Sequence, residues 1–230
     1  MLPFYGRRLS RKTKNSETHK LPSFDFFLNK NFVQSLKEDL SLRSISINLE
    51  IGFGTAENLI FQSEKFKNEL FIACDPFISG SLKLKSKIEE LDLKNVFFSN
   101  LDYFKLYKLT EGLVFNKVYI LFPDPWPKKK HKKRRLINLE FIKSLMNITS
   151  LKSKIFVATD DEDYSNQIRK CFIGEDNFKQ EFYSSEQNDY INHNLYPTKY
   201  FKKAMNSKKK VNFFIFRKFK KKIIKLFKFY

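Results

Sequence analysis

Cysteine is nearly absent from this 230-residue chain, with two residues, Cys74 and Cys171, far apart and each inside an apolar segment. Two isolated thiols and three scattered histidines make no zinc set, so no bound metal and a reducing compartment are expected. Long apolar runs are also missing. No stretch approaches the roughly 18–20 residues a membrane helix needs, which argues against stable membrane association. The basic N-terminus (Arg7, Arg8, Arg11, Lys12, Lys14) lacks the apolar middle of a secretory signal, and a cytoplasmic protein is expected. No acid precedes Glu17, so an organellar transit peptide stays open as an alternative. Glycine is scarce, at six residues, and two phosphate-binding signatures are missing with it. Glu57 stands where a dinucleotide fingerprint needs its third glycine, and no Gly-Lys-Ser/Thr follows the glycine turn.

Positive charge, by contrast, is in excess. Lys and Arg number 44 against 25 acids, a net charge of +19 that points to an anionic partner, most simply nucleic acid. Only eight of the 44 are Arg, and Phe, Asn and Ile are also abundant, the skew an AT-rich coding sequence imposes. Where the charge sits therefore matters more than its total. Its densest run is Phe122-Pro-Asp-Pro-Trp-Pro-Lys-Lys-Lys-His-Lys-Lys-Arg-Arg135, in which Asp124 lies between two prolines and beside the only Trp. A restrained acidic loop opening onto a basic run suits chemistry on a polyanion. A Pro-rich turn followed by a solvated basic helix start is the plainer reading.

The length suits one large domain. Residues 1–42 read as a basic arm and a leading helix over Leu28–Leu42. The main domain spans 43–217, and 218–230 is a tail rich in Lys and Phe. Strand-like segments at 45–51, 70–74, 96–98, 117–122, 154–158, 182–183 and 211–216 alternate with helix-like ones around Leu59–Phe66, Leu82–Leu91, Leu136–Met146 and Ile168. That alternation predicts an α/β fold: a mostly parallel seven-stranded sheet with helices on both faces. Right-handed crossovers then bring every strand's C-terminal end to one edge, where ligands bind. Glu50, Asp75, Asp102, Asp124 and Asp160 all fall at or just after predicted strand ends, so five carboxylates are expected along that edge.

Glu50-Ile-Gly-Phe-Gly-Thr-Ala-Glu57 reads as strand, glycine turn and helix start. A Glu at the helix N-terminus repels a pyrophosphate, which depends on bare backbone donors there. The turn suits a ligand without phosphate and with a cation near Glu50. S-adenosylmethionine meets that description, with Asp75 placed for the ribose hydroxyls and Asp102 for the adenine or methionine end. A plain turn is the alternative for the glycines alone.

Glu50-Ile-Gly-Phe-Gly, the Pro-Asp-Pro-Trp-Pro-Lys loop with its Lys-Arg-Arg-Leu136 continuation, Ala158-Thr-Asp160 and Thr198-Lys-Tyr200 occur in order between about Ile47 and Phe216. Together they resemble the bacterial tRNA (guanine-N7)-methyltransferase family. The loop is the specific part; the glycine turn is common. The resemblance implies a class I S-adenosylmethionine-dependent methyltransferase fold and methylation of guanosine N7 at position 46, in the tRNA variable loop. It implies cofactor contacts at Glu50, Gly52, Gly54, Asp75, Asp102 and Asp124, with Asp124 catalytic. It implies substrate contacts at Lys128, Asp160, Thr198, Lys199, Tyr200 and Phe201. Three positions depart from the family pattern: Asp75 replaces a Glu, Ala56 a Gly, and Phe201 an acid.

Guanine N7 carries an in-plane lone pair and no proton, so its methylation needs alignment and field rather than a strong base. Asp124 is expected to orient the base and stabilise positive charge developing on the purine. Lys128 to Arg135 are expected to follow phosphates, and Trp126 to fill the core rather than stack on a base. The resemblance implies tRNA as the partner, and a monomer or homodimer fits equally. Rival readings are another nucleic-acid base N-methyltransferase and a non-catalytic RNA-binding protein on the same fold. A membrane-surface role for Ile223, Ile224, Leu226 and Phe227 is a more distant one.

Overall fold

The computed structural model describes residues 8–10, 21, 23–42 and 45–219. Arg7, Arg11, Lys12 and Lys14 of the expected arm, and the tail from Lys220 with its apolar Ile223, Ile224, Leu226 and Phe227, lie outside those residues.

Seven strands form a single sheet: β1 Ile47–Ile51, β2 Leu70–Cys74, β3 Val96–Ser99, β4 Phe115–Leu121, β5 Thr149–Thr159, β6 Phe178–Ser184 and β7 Asn212–Lys218. Their order is β3-β2-β1-β4-β5-β7-β6. The first five are parallel to one another. β7 runs antiparallel to both β5 and β6. The expectation that every strand ends at one edge is thus corrected for β7. The chain after β6 passes through the short helices before Asn212 and re-enters the sheet between β5 and β6 in the opposite direction.

Helices α1 Lys30–Leu42, α2 Glu57–Lys65, α3 Ile78–Leu91, α4 Tyr103–Leu109, α5 Leu139–Ile148, α6 Glu162–Ile173, α7 Gln187–Asn192 and α8 Lys199–Asn206 cover the sheet. The period-2 geometry of the strands divides their side chains between two cores. On one face Leu49, Ile72, Val118, Ile155, Val157, Phe214 and Phe216 pack with α4, α5 and α6. On the other, Phe71, Ala73, Tyr119, Phe156, Ala158, Phe213 and Ile215 pack with α2, α3, α7 and α8. Burial on both faces is why β2, the Ile155–Ala158 part of β5 and the Phe213–Phe216 part of β7 read as unbroken apolar runs. In β1 the second face carries Asn48 and Glu50, both buried. Asn48 Nδ2 donates to Glu69 Oε2 at 2.6 Å, and Lys117 Nζ reaches the same carboxylate at 2.8 Å.

Candidate active site

At the carboxyl edge of the five parallel strands lies a cleft of about 550 Å³, bordered by Gly52, Gly54, Asp75, Asp102, Asp124 and Tyr200 among others. Its floor is the turn after β1. Gly52 and Gly54 have φ values of +80° and +56°, a region where a side chain is strained. The turn is fixed by its neighbour: Gly52 N–H donates to Cys74 O at 2.8 Å, and Gly54 N–H to Asp75 Oδ2 at 2.7 Å. Phe77 N–H donates to Asp75 Oδ1 at 2.8 Å. Asp75 thereby joins two βα loops while each oxygen keeps a second acceptor site. Burial raises its pKa, opposed by the donors on Phe77 and Gly54.

Gly80 is a site residue that sequence reasoning missed. A Cβ there would lie 1.9 Å from Gly54 O, so α3 can approach the glycine turn only with hydrogen at this position. The available signal is a glycine inside an otherwise helical pattern. Asp102 caps α4, accepting from Lys105 N–H at 3.1 Å while bordering the cleft. The sequence pattern predicts no helix just before β4, yet α4 is what aims this carboxylate.

β4 stops at Leu121 because Phe122 turns left-handed, with φ +56°; Trp126 does the same at +43°. Two non-glycine residues in that region bracket Pro123-Asp124-Pro125, each costing about 1–3 kcal/mol that the surroundings must offset. Asp124 is solvent-accessible at the cleft mouth, and the partial desolvation of its carboxyl raises its pKa. The expectation of Trp126 in the core is corrected. It is only half-buried and lines the cleft instead, edge-on to His131 at 5.9 Å with the Arg134 guanidinium 5.0 Å from its ring. The loop is too short, between two prolines, to carry the indole under the sheet.

The basic run forms a 3-10 helix, Lys129–Arg134. Lys128, Lys129, Lys130 and Lys133 are exposed. Lys132 is joined to Asp163 at 2.7 Å. Arg135 is 2% exposed, so the expected phosphate track ends one residue early.

Glu50 lies 4% exposed in a small pouch behind the glycine turn, which shares Gly52, Gly54, Leu121 and Tyr200 with the main cleft. Burial pushes its pKa up to about 8, against the Asn58 Nδ2 hydrogen bond at 2.9 Å. Asn58 Oδ1 in turn accepts from Tyr196 N–H at 3.2 Å. Asp160 is at the same sheet edge but outside the cleft, joined to Lys209 Nζ at 2.9 Å. Three of the five expected acids therefore share the main cleft, a fourth adjoins it, and the fifth stands apart.

Thr198 caps α8, its hydroxyl accepting from Phe201 N–H at 3.3 Å. Lys199 and Tyr200 border the cleft, and Lys199 N–H donates to Glu57 Oε2 at 2.8 Å. Phe201 does not fit a substrate contact. Its ring is 2% exposed and stacks on Tyr190 at 4.6 Å, so it belongs to the core under α8. Among the described residues no group of His, Cys, Asp or Glu is arranged to hold a metal, and no helix is long and apolar enough to cross a membrane.

The strand order, with one reversed strand between β5 and β6, is that of class I S-adenosylmethionine-dependent methyltransferases. An rRNA methylase from Streptococcus thermophilus shares the fold with a TM-score of 0.53 at 13% identity, over 76% of this chain and 88% of its own. A methyltransferase family described as "Putative methyltransferase" matches residues 44–214. The chain is 35% identical over 200 residues to the tRNA (guanine-N(7)-)-methyltransferase of Wolbachia pipientis, covering 84% of this chain and 86% of that one. The enzyme of the same name from Neorickettsia sennetsu is 35% identical over 164 residues, 71% of each chain. With the motif order, the sheet order and these relatives in agreement, the chain belongs to the bacterial tRNA (guanine-N7)-methyltransferase family.

Proposed function

We propose that this protein transfers the methyl group of S-adenosylmethionine to N7 of guanosine at position 46, in the variable loop of tRNA. The observation that carries this reading is Asp124, held by two prolines and two left-handed residues at the mouth of a cleft containing Asp75 and Asp102. The relatives' activity supports it. The cleft residues fit the cofactor. Asp75 keeps acceptor sites for ribose hydroxyls, Phe77 and Phe104 offer apolar surface, and Glu50 faces the pouch where an ammonium can neutralise it. Glu57, in the first turn of α2, already places negative charge where a pyrophosphate would sit. When bound, the cofactor supplies an electrophilic methyl on a sulfonium.

Asp124 accepts hydrogen bonds from the guanine edge and aims N7 along the cleft. Its fixed charge favours the cationic 7-methylguanine as it forms. Tyr200 and Trp126, both on the cleft wall, present ring surface to a base turned out of the RNA. Lys128, Lys129, Lys130 and Lys133 face the flanking phosphates.

Incubation with bulk tRNA and methyl-labelled cofactor, followed by digestion to nucleosides, places the label in 7-methylguanosine. Label in another nucleoside, or none, removes this reading. Replacing Lys129, Lys130 and Lys133 with Ala weakens tRNA binding and lowers the log–log salt slope by about 0.7–0.9 per lost phosphate contact. Titrations at several ionic strengths measure both; an unchanged slope makes the run a solvated face.

A further inference from the structure

Arg135 belongs by sequence to the basic run, but its guanidinium is buried, with two nitrogens hydrogen-bonded inside the protein and the third paired by charge alone. Nε donates to Pro125 O, the carbonyl directly after Asp124, at 2.7 Å. Nη1 donates to Gln167 Oε1 at 2.9 Å, and Nη2 lies 2.7 Å from Asp163 Oδ2 and 3.7 Å from Asp161 Oδ1. Its Cζ is 4.7 Å from the Tyr164 ring centroid. These last four partners all belong to the first half of α6 or to its N-cap, Asp161. The same helix holds the chain just beyond: Tyr164 OH accepts from Ile137 N–H at 2.9 Å, and Gln167 Nε2 donates to Ile137 O at 2.9 Å.

We propose that Arg135 is a positioning residue for Asp124, a buried clasp that fixes the Pro123–Trp126 loop to α6, and not a contact to RNA. The link to catalysis rests on the function proposed above; the link to loop order does not. The loop has two strained residues and, after Phe122 N–H to Ala158 O at 2.8 Å, leaves the sheet. A hydrogen bond on the Pro125 carbonyl from a group itself immobilised by four side chains is what such a loop requires. Arginine suits this because its planar fork sends donors in divergent directions at once. A lysine ammonium cannot span Pro125 and α6 together with the same geometry. The charge is also neutralised locally by Asp161 and Asp163, so Arg135 adds little to the field that attracts phosphate.

The test uses Arg135→Lys in the full chain, with Trp126, the sole tryptophan and the residue after Pro125, as a reporter of loop order. The variant stays folded with a thermal midpoint lowered by a few degrees, because the lysine gives up one of the buried hydrogen bonds to Pro125 O and Gln167 Oε1 while Asp163, solvent-exposed, is not left as a buried charge. Quenching of Trp126 fluorescence by acrylamide rises several-fold. The turnover number for tRNA methylation falls about 100-fold, as a misplacement of about 1 Å gives, while KM for tRNA and the salt slope of binding stay unchanged. Asp163→Asn, which loosens the clasp from its outer side, moves both signals in the same direction by less, and it serves if Arg135→Lys does not fold. Weakened tRNA binding with turnover intact would make Arg135 an RNA contact and overturn the proposal. So would lost turnover with Trp126 quenching unchanged, or unchanged quenching and turnover together. A wild type that methylates no tRNA would overturn the function proposed above, and the Trp126 measurement would still decide the clasp.

Discussion

Asp124→Ala lowers methyl transfer to tRNA by about 10²–10³-fold, the usual cost of removing one fixed polar group aimed at developing charge. Binding of tRNA survives, because the exposed lysines proposed to hold it are separate from the loop apex. The loss falls on turnover rather than on KM. On the proposed function no proton is removed from guanine N7, which calls for a fixed charge and a hydrogen-bond acceptor at Asp124 and not for a base. That role requires the carboxylate. Since partial desolvation raises its pKa, the wild-type rate falls on acidification at a higher pH than a fully hydrated Asp would give. Single-turnover rates across pH, compared with Asp124→Asn, measure this directly. Turnover retained by Asp124→Ala would remove the residue from the mechanism.

Glu50→Gln separates stability from ligand binding. A carboxyl whose pKa rises from 4.5 to about 8 must take up a proton when the chain folds at neutral pH. The stabilisation of its neutral form is complete below 4.5 and is lost as pH rises through about 8. Each unit between these limits costs about 1.4 kcal/mol, so near pH 7 the penalty reaches about 3 kcal/mol. Gln carries no such cost, and its amide oxygen can still accept from Asn58 Nδ2. The variant is therefore more stable by about 3 kcal/mol near pH 7, and equal to the wild type below about pH 4. It binds S-adenosylmethionine more weakly, having no charge to offer the ammonium. Calorimetry in buffers of different ionisation heat shows proton release on cofactor binding by the wild type and none by Glu50→Gln. Undiminished affinity in the variant would take Glu50 out of the cofactor site.

Most of the site's frame was legible because it depends on local rules. A glycine turn after β1, acids at strand ends and a Pro-Asp-Pro loop are short patterns whose geometry follows from neighbouring residues. What escaped depends on distant ones. Arg135 looks like its basic neighbours, and only the approach of α6, some thirty residues later, turns it inward. Phe201 sits in a motif that reads as substrate-facing, but the amphipathic turn of α8 puts its ring under the helix. Gly80 gives no local hint of the carbonyl it must clear. Helices α4, α7 and α8 are six to eight residues long, too short for apolar periodicity to declare them. The reversal of β7 is a matter of topology, which strand composition does not encode.

The placement of β7 bears on how the molecule is made. Strands β2 to β5 each join a sheet partner already synthesised, but β6 pairs only with β7, so β5 and β6 meet only through Asn212–Lys218. While the nascent chain is still on the ribosome short of those residues, β5 offers an open backbone edge and β6 has nothing to pair with. Such edges invite association with other chains. Translation therefore keeps the sheet divided until β7 has emerged, and closure comes as one insertion along two seams.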